Sequence, residues 1–219
     1  MLKDNRLRAI VSLLPHCEVI ADIGTDHGKL GCELLSEGIC RQLWFTDISA
    51  DSLRKAKELA KKKGLTEKAA FFVGDGAAAL PGIPDAAVIA GMGGFTISHI
   101  ISDGYIKLKD SLLVLGAHTA LSEVRSCLSR YDYMITDELV VNESERYYVI
   151  MSAKNGKTEY TFDDLIAGPV LRHKTDAESR EYFAYRLRLA QSTYRAIRAS
   201  KKASTVKIEL EIDVWKSLI

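Results

Sequence analysis

The sequence predicts an α/β protein that combines a mostly parallel, doubly wound sheet with a small helical C-terminal region. Three observations lead to this prediction: short apolar segments alternate with helical patterns between residues 7 and 115, a hairpin pattern follows, and the last third has coiled-coil spacing. Alternating strands and helices are typical of parallel sheets with helices on both faces. A chain of 219 residues, 47% of them hydrophobic, is long enough for one sizeable core and a short appendage.

The five predicted parallel strands are short apolar runs, each followed by glycine or polar residues. They cover residues 19–21, 42–46, 70–73, 86–90 and 112–115. Helical patterns occupy residues 7–14, the stretch from Gly28 to Leu35, and residues 51–63, where Gly64 ends the helix. The helical patterns at 28–35 and 51–63 thus connect the first strand to the second and the second to the third, as a parallel sheet requires.

Two further strands, at residues 134–142 and 146–152, are separated by only three residues and bring the sheet to seven strands. Parallel neighbours need a crossover of a dozen or more residues, so the last strand must run antiparallel to its partner. We place the domain boundary after this hairpin, with a catalytic domain at 1–154 and a helical domain at 155–219.

The helical domain has a coiled-coil-like pattern, which predicts that its main helix packs against a partner helix. The apolar residues at alternating spacings of four and three are Phe183, Leu187, Ala190, Tyr194 and Ile197. Residues 208–219 fit both a strand and a helix, and we favour the helix because Ile208, Ile212 and Trp215 keep the heptad spacing.

The segment Asp22-Ile23-Gly24-Thr25-Asp26-His27-Gly28 follows the first strand, where glycines let the backbone approach a ligand. Its glycine spacing differs from the Gly-x-Gly-x-x-Gly of dinucleotide sites, and its two acids would repel a pyrophosphate. S-adenosylmethionine (SAM) carries a sulfonium and an amino group, which carboxylates attract. We therefore expect residues 22 and 24–27 to bind SAM, with a helix cap as the alternative role of either acid.

Acids also follow the second and third strands. Asp47 lies 23 residues after Gly24, where a carboxylate accepts hydrogen bonds from both ribose hydroxyls, and Ile48 is its neighbour in the predicted site. Asp75 could accept from an adenine amino group, and Gly76 leaves room for the ring. A solvated carboxylate and a simple turn are the respective alternatives.

The fourth strand ends in Ala90-Gly91-Met92-Gly93-Gly94, which we expect to flank the reacting methyl group. Ala90, Gly91, Met92 and Gly93 would contact SAM, and glycines 93 and 94 would admit a flat substrate base. A turn that packs the next helix is the alternative. After the fifth strand, His118 is a candidate substrate contact, with a local hydrogen-bonding role as the alternative.

The motifs around Asp22, Asp75 and Gly91, together with Gly168-Pro169 and Leu171, resemble the bacterial tRNA (adenine-22-N1)-methyltransferase family. The resemblance runs along the whole chain and implies a Rossmann-like, class I SAM-dependent methyltransferase with a coiled-coil-like domain that helps to hold tRNA. Asp22 and His27 are then the candidate catalytic residues. Where this chain has Gly116-Ala117-His118, many members have Gln-Pro-Asn, which puts the substrate contacts there in doubt.

The charge of the whole chain is balanced, but one C-terminal segment is basic enough to fit an RNA partner. The chain has 30 Lys and Arg against 29 Asp and Glu, but residues 172–202 contain nine basic and three acidic residues, a net charge of +6. Arg186, Arg188, Arg195 and Arg198 flank the apolar seam and are candidate phosphate contacts, unless they form only a solvated face. If so, a chain cut after Asn155 should keep SAM binding and lose tRNA binding.

The sequence also leads to expectations about the cellular compartment, the metal requirement and the oligomeric state of the protein. The four cysteines form no Cys-x-x-Cys pair, which favours buried free thiols in a reducing compartment. No segment approaches the roughly 20 apolar residues of a spanning helix, so we expect a cytoplasmic protein. We also expect it to need no metal and to act as a monomer. The alternative functions are a SAM-dependent methyltransferase of another nucleic-acid base or small molecule, and a non-catalytic nucleotide-binding or RNA-binding module.

Overall fold

The computed structural model describes residues 4–144, 146–200 and 204–219. The strands are β1 (Cys17–Ile23), β2 (Cys40–Asp47), β3 (Ala69–Val73), β4 (Ala86–Met92), β5 (Leu112–Ala117), β6 (Tyr133–Glu143) and β7 (Arg146–Asn155). The helices are α1 (Asn5–Ser12), α2 (Lys29–Ser36), α3 (Ala50–Lys62), α4 (Gly94–Asp103), α5 (Tyr105–Leu108), α6 (Leu121–Arg130), α7 (Phe162–Ala167), α8 (Ala177–Ser200) and α9 (Val206–Lys216).

These strands form one seven-stranded sheet in the order β3-β2-β1-β4-β5-β7-β6. Strands β1 to β5 pair in parallel, and β7 is antiparallel to both of its neighbours. The predicted Rossmann-like fold with its closing antiparallel strand is confirmed. The chain leaves β1 towards β2 and β3 and later returns to its other side as β4, so the carboxyl ends of β1 and β4 diverge at one edge. Open α/β sheets bind ligands in such a crevice.

Two hydrophobic cores lie on the two faces of the sheet. One contains Ile10 of α1, Leu34 of α2 and Leu53 of α3. The other contains residues of α4 to α9, among them Phe183 and Trp215, which are buried together with strand residues. The C-terminal helices therefore share a core with the sheet. Strand β7 ends at Asn155, one residue beyond the predicted boundary, and the division into two domains stays a prediction.

A fully buried ion pair joins the sheet to the C-terminal segment. Arg125 of α6 and Glu138 of β6 have side chains that are 1% and 0% exposed, and Arg125 Nε donates to Glu138 Oε1 at 3.0 Å. Arg125 Nη1 also donates to the carbonyls of residues 165 and 166, while Glu138 Oε2 accepts the backbone N–H groups of residues 170 and 171, both at 3.0 Å. These hydrogen bonds compensate the desolvation of both charges.

Gly168 explains how the chain passes so close to that pair. Its φ of +100° lies in the region that favours glycine, and a Cβ there would overlap the carboxylate of Glu138. Only a residue without a side chain lets the backbone approach far enough for the two amides at 170 and 171 to reach Oε2. The Gly168-Pro169 motif thus has a packing role.

Helices α8 and α9 pack against each other, so the expected partner helix is present and the ambiguous final segment is helical. Along α8 the predicted seam is the less exposed side: Phe183 and Ala190 are buried, and Leu187, Tyr194 and Ile197 are half-buried. Of the residues counted in the predicted basic region, Lys201 and Lys202 lie outside the described residues.

The cysteines are free thiols; Cys32, Cys40 and Cys127 are buried, and Cys17 is partly exposed. In the part of the chain that the structure describes, none of the helices has both the length and the apolar character needed to cross a membrane.

Candidate functional site

A cavity of about 330 Å³ lies at the carboxyl edge of β1, β4 and β5 and is covered by α1. Several residues predicted from three separate motifs line it together: Asp22, Gly24, Thr25, Asp26, His27, Ala90, Gly91 and His118. The topology explains this meeting, because parallel strands end at the same edge of the sheet. Both candidate catalytic residues, Asp22 and His27, are thus in one site.

Asp22 is the buried acid of this cavity. Asp22 is only 4% exposed. Its carboxylate accepts one hydrogen bond from the Thr25 hydroxyl, at 2.6 Å, and one from the backbone N–H of Gly31 in the first turn of α2. Burial raises the pKa of Asp22 to about 6, and the nearby Asp47 carboxylate adds to the rise, while the two hydrogen bonds oppose it. No cationic side chain is paired with it in the described residues.

The loop after β1 contains residues with a positive φ. Gly24 has a φ of +75°, and a Cβ there would overlap the methyl group of Met92, so the β1 and β4 loops touch at this point. Asp26 also has a positive φ, of 50°, and its carboxylate lies 2.6 Å from His27 Nδ1. The N-cap of α2 is Gly28 and has no side-chain cap bond, so Asp26 does not cap the helix.

The predicted ribose and adenine contacts lie beside the cavity, on the β2 and β3 side. Asp47 Oδ2 accepts the N–H of Asp26 at 3.1 Å, and its Oδ1 accepts the N–H of Ser49 at 2.8 Å, which fixes the carboxylate next to the β1 loop. Ile48 is 73% exposed, so its apolar side chain faces solvent at the same place. An exposed apolar side chain next to an oriented carboxylate suits a nucleoside.

Asp75 and Gly76 are tied to this end of β2 through the backbone. The N–H of Gly74 donates to the carbonyl of Asp47 at 3.1 Å, and the hydroxyl of Thr46 donates to the carbonyl of Gly76 at 3.3 Å. Asp75 itself is exposed, and its side chain makes no cap bond to the short helix that follows. The carboxylates of residues 47 and 75 therefore lie at the carboxyl ends of adjacent strands, at one edge of the sheet.

The loops after β4 and β5 are joined by backbone hydrogen bonds. The N–H of Gly94 donates to the carbonyl of Thr119 at 2.9 Å, and the N–H of His118 donates to the carbonyl of Met92 at 2.8 Å. Gly94 is buried, and a Cβ there would overlap the backbone of Thr119 and Ala120. Gly94 thus takes the alternative role of packing, whereas Gly91 has open space around it and Gly93 is partly exposed.

His118 is exposed at the mouth of the cavity and its ring lies 5.6 Å from the Tyr148 ring, edge to face. Partial burial and the positive charges of Arg6 and Arg146 lower the pKa of His118 below its usual value. The imidazole is therefore neutral at neutral pH, with one nitrogen free to accept a hydrogen bond and the other to donate one.

Helix α1 and strand β7 provide a wall of the cavity that was not predicted from the sequence. Arg6 lies 4.8 Å above the Tyr148 ring and 2.7 Å from the Glu143 carboxylate. The lining residues not singled out before are Asp4, Arg6, Leu7, Ile10, Lys29, Leu30, Gly116, Tyr148 and Ile150. An apolar face on residues 7–14 was visible in the sequence, but no local signal tells that it covers the cofactor edge.

The four predicted RNA-binding arginines differ in their surroundings. Arg186 already has partners: its Nη2 lies 3.0 Å from Glu211, its Nη1 donates to the Tyr182 hydroxyl, and its guanidinium lies over the Trp215 ring. Arg188, Arg195 and Arg198 are exposed on α8. The last three remain candidates for phosphate contacts, whereas Arg186 helps to hold α8 on α9.

The residues of this edge fit SAM. A buried carboxylate at the amino end of α2, with a raised pKa and no cationic partner, gains from a ligand that brings positive charge. Asp47 offers acceptors for the ribose, and the exposed Ile48 offers a surface for the adenine. Within residues 4–144, 146–200 and 204–219, no group of three or more His, Cys, Asp or Glu side chains is placed to hold a metal ion.

Comparisons with known proteins agree with this chemistry. A family model described as a methyltransferase domain matches residues 3–151. The tRNA (adenine(22)-N(1))-methyltransferase of Bacillus subtilis is 28% identical over 200 residues, covering 88% of this chain and 84% of the relative. A putative tRNA methyltransferase of Mycoplasma pneumoniae is 34% identical over 163 residues, covering 72% of this chain and 74% of the relative.

The similarity extends to the three-dimensional structure. The crystal structure of the B. subtilis m1A22 tRNA methyltransferase TrmK superposes with a TM-score of 0.85 at 26% identity, and the match covers 100% of both chains. It therefore includes the C-terminal helices as well as the sheet. The chain belongs to the methyltransferase domain family and is a relative of the tRNA (adenine(22)-N(1))-methyltransferases.

Proposed function

We propose that this protein transfers a methyl group from SAM to N1 of an adenine in tRNA, the adenine at position 22. The observation that carries the proposal is that one cavity brings together the buried Asp22, which has no cationic partner among the described residues, the glycine loop after β4 and the exposed His118. One end of this cavity suits the charged part of SAM, and the other end is open to a flat base. The named relatives support the choice of substrate.

SAM, when bound, supplies a methyl group on a positively charged sulfur, and the lone pair of adenine N1 is the nucleophile that takes it. Because N1 is already a nucleophile, the chain needs no strong base, and its contribution is alignment and exclusion of water. Asp22 would hold the charged methionine end, Asp47 the ribose, and the backbone at Gly91 and Gly93 would admit the target base.

His118 is suited to orient that base. Its lowered pKa keeps the ring neutral, so it can accept a hydrogen bond from the adenine amino group without repelling a base that becomes cationic on methylation. N1 lies on the pairing edge of adenine, so the target nucleotide has to be unpaired or flipped out to reach the cavity.

The exposed Arg188, Arg195 and Arg198 would contact phosphates and hold the folded RNA against the site. Since this chain alone supplies both the cofactor residues and the basic helix, we propose that it works as a monomer. A tRNA substrate supports a cytoplasmic location for the reaction.

The test is methylation of an unmodified tRNA transcript with labelled SAM, followed by mapping of the modified nucleotide. We expect one label, on N1 of adenine 22. A transcript with guanine at position 22 is the matched control and should stay unlabelled. Label on another nucleotide would replace the proposed target, and a wild-type protein that binds SAM but labels neither transcript would refute the proposed substrate.

A further inference from the structure

A second cavity, of about 230 Å³, lies between the end of β5, strand β7 and helix α8. It is on the opposite face of the sheet from the cofactor cavity: Tyr147 and Val149 of β7 line it, whereas their neighbours Tyr148 and Ile150 line the cofactor cavity. Alternate residues of a strand point to opposite faces, so β7 forms a wall of both cavities.

Three tyrosines, Tyr147, Tyr182 and Tyr185, line the second cavity. The rings of Tyr147 and Tyr185 are 5.0 Å apart at an angle of 37°, and the ring of Tyr182 is 5.8 Å from that of Tyr147. Tyr182 is buried, but Tyr185 is 37% exposed and the adjacent Leu189 is 48% exposed. Exposed aromatic rings beside a pocket provide flat faces on which a planar ligand can stack, and Leu189 adds apolar surface next to them.

The cavity also has fixed polar groups for the edge of such a ligand. Arg186 and Glu211 line it and hold each other at 3.0 Å, with the guanidinium 4.9 Å from the centre of the Trp215 ring. Thr119, two residues before α6, and Ser122, in its first turn, add hydroxyl groups. Apolar faces with donors and acceptors at the rim match the chemistry of a nucleobase.

Two features connect this cavity to the proposed RNA path. His118 lines both cavities, so the second one opens directly beside the expected position of the target base. On α8, Arg188 lies one turn beyond Tyr185 and Arg195 two turns beyond Arg188, so both exposed arginines flank the same side of the helix. A polynucleotide lying along these cations would pass the opening.

We propose that this tyrosine cavity binds a nucleobase of tRNA that neighbours the methylated adenine in the folded RNA, stacked against Tyr147 and Tyr185. The inference rests on the proposed function and extends it, because it gives the enzyme a second base contact outside the cofactor cavity. Such a contact would help to hold the target nucleotide out of the RNA stack while the methyl group is transferred.

The test compares tRNA affinity of the full chain, with SAM present, for wild type, Tyr185→Ala, Tyr185→Phe and Tyr194→Ala. Tyr185→Ala should weaken binding roughly fivefold to a hundredfold, the range that one lost stacking contact gives. Tyr185→Phe keeps the ring and should bind like wild type. Tyr194→Ala removes a half-buried tyrosine of the same helix outside the cavity, and it controls for general damage to α8.

A direct probe uses tRNA carrying 2-aminopurine next to position 22, whose fluorescence falls when the base stacks on an aromatic ring. We expect quenching by wild type and Tyr185→Phe, and its loss with Tyr185→Ala. SAM affinity should be the same in all variants. The inference fails if Tyr185→Ala binds tRNA like wild type or loses no more than Tyr194→Ala, even though wild type methylates tRNA. If wild type neither binds nor methylates tRNA, the proposed function fails instead.

Discussion

Two buried carboxylates, one in each half of the molecule, have very different surroundings. Glu138, under the C-terminal helices, is paired with Arg125 and accepts two backbone amides, so both of its oxygens have strong partners. Asp22, at the cofactor edge, has a hydroxyl and one amide but no cation, and its pKa rises to about 6. We infer from this comparison that losing a partner of the Glu138 carboxylate destabilises the fold, whereas the Asp22 carboxylate, which lacks a cation among the described residues, is placed for a positively charged ligand.

The largest effect should come from removing the charge of Glu138, whose two carboxylate oxygens both have partners. Glu138→Gln leaves the guanidinium of Arg125 buried without an opposite charge, and we expect a loss of about 3–5 kcal/mol in the free energy of unfolding. Chemical denaturation measures it. Glu58→Gln, which breaks an exposed ion pair with Arg54, is the control and should leave stability nearly unchanged. A loss from Glu138→Gln as small as that of the control would remove the distinction drawn here.

The same pair bears on the predicted truncation after Asn155. Removing residues 156–219 would expose the core positions that Phe183 and Trp215 cover and would leave Arg125 and Glu138 without their backbone partners. The sequence alone predicts that such a fragment still binds SAM, but its packing indicates that it would not fold. Point substitutions on α8 are therefore the better way to separate the RNA contacts from the cofactor site.

An intermediate effect is expected at the cofactor edge, on binding instead of folding. Asp47→Ala removes the acceptors for two ribose hydroxyls and should weaken SAM binding by about 1–3 kcal/mol, measured by calorimetry. Asp85→Ala is a matched control, because Asp85 also accepts two backbone amides, at 2.9 Å each, but at the opposite edge of the sheet. Equal SAM affinities of the two folded variants would show that Asp47 does not contact the ribose.

The smallest effect concerns the protonation of Asp22. A cationic ligand favours the ionised carboxylate, so SAM affinity should fall below pH 6, by at most about tenfold per pH unit. The free protein should behave in the opposite way: because the folded state holds the proton more tightly than the unfolded state, its stability decreases as the pH rises from about 4 to 6. Above about pH 6 the carboxylate is ionised, and the free energy of unfolding of the free protein stays at this lower value.

Asp22→Asn separates these two effects. The variant should lose the fall in SAM affinity below pH 6, and at neutral pH its free protein should unfold at a higher temperature than wild type. Calorimetric titrations and thermal unfolding between pH 5 and 8 provide the comparison. If the variant keeps the same pH dependence of SAM binding, a titratable group other than Asp22 is responsible.

The sequence predicts those parts of the site that follow from the order of the strands, but not the contacts between residues that are far apart in the chain. Asp22, Gly91 and His118 could be placed together because each lies at the carboxyl end of a strand of a parallel sheet, and the topology brings these ends to one edge. The cover of the cavity could not be predicted, since Arg6 meets Tyr148 across 142 residues and neither position has a distinctive local pattern. The same holds for Arg186, whose positive charge suggested a phosphate contact until Glu211 and Trp215 proved to be its partners.

The alternation of Tyr147 and Tyr148 along β7 limits how this part of the chain can change during evolution. Inserting or deleting one residue within β7 would turn each tyrosine to the other face and disturb both cavities at once. Strand β6 already has an irregularity between Ile135 and Asp137, where one residue is added without shifting β7. Among homologues, length variation should therefore concentrate in the hairpin loop and near that bulge, while the length of β7 stays constant.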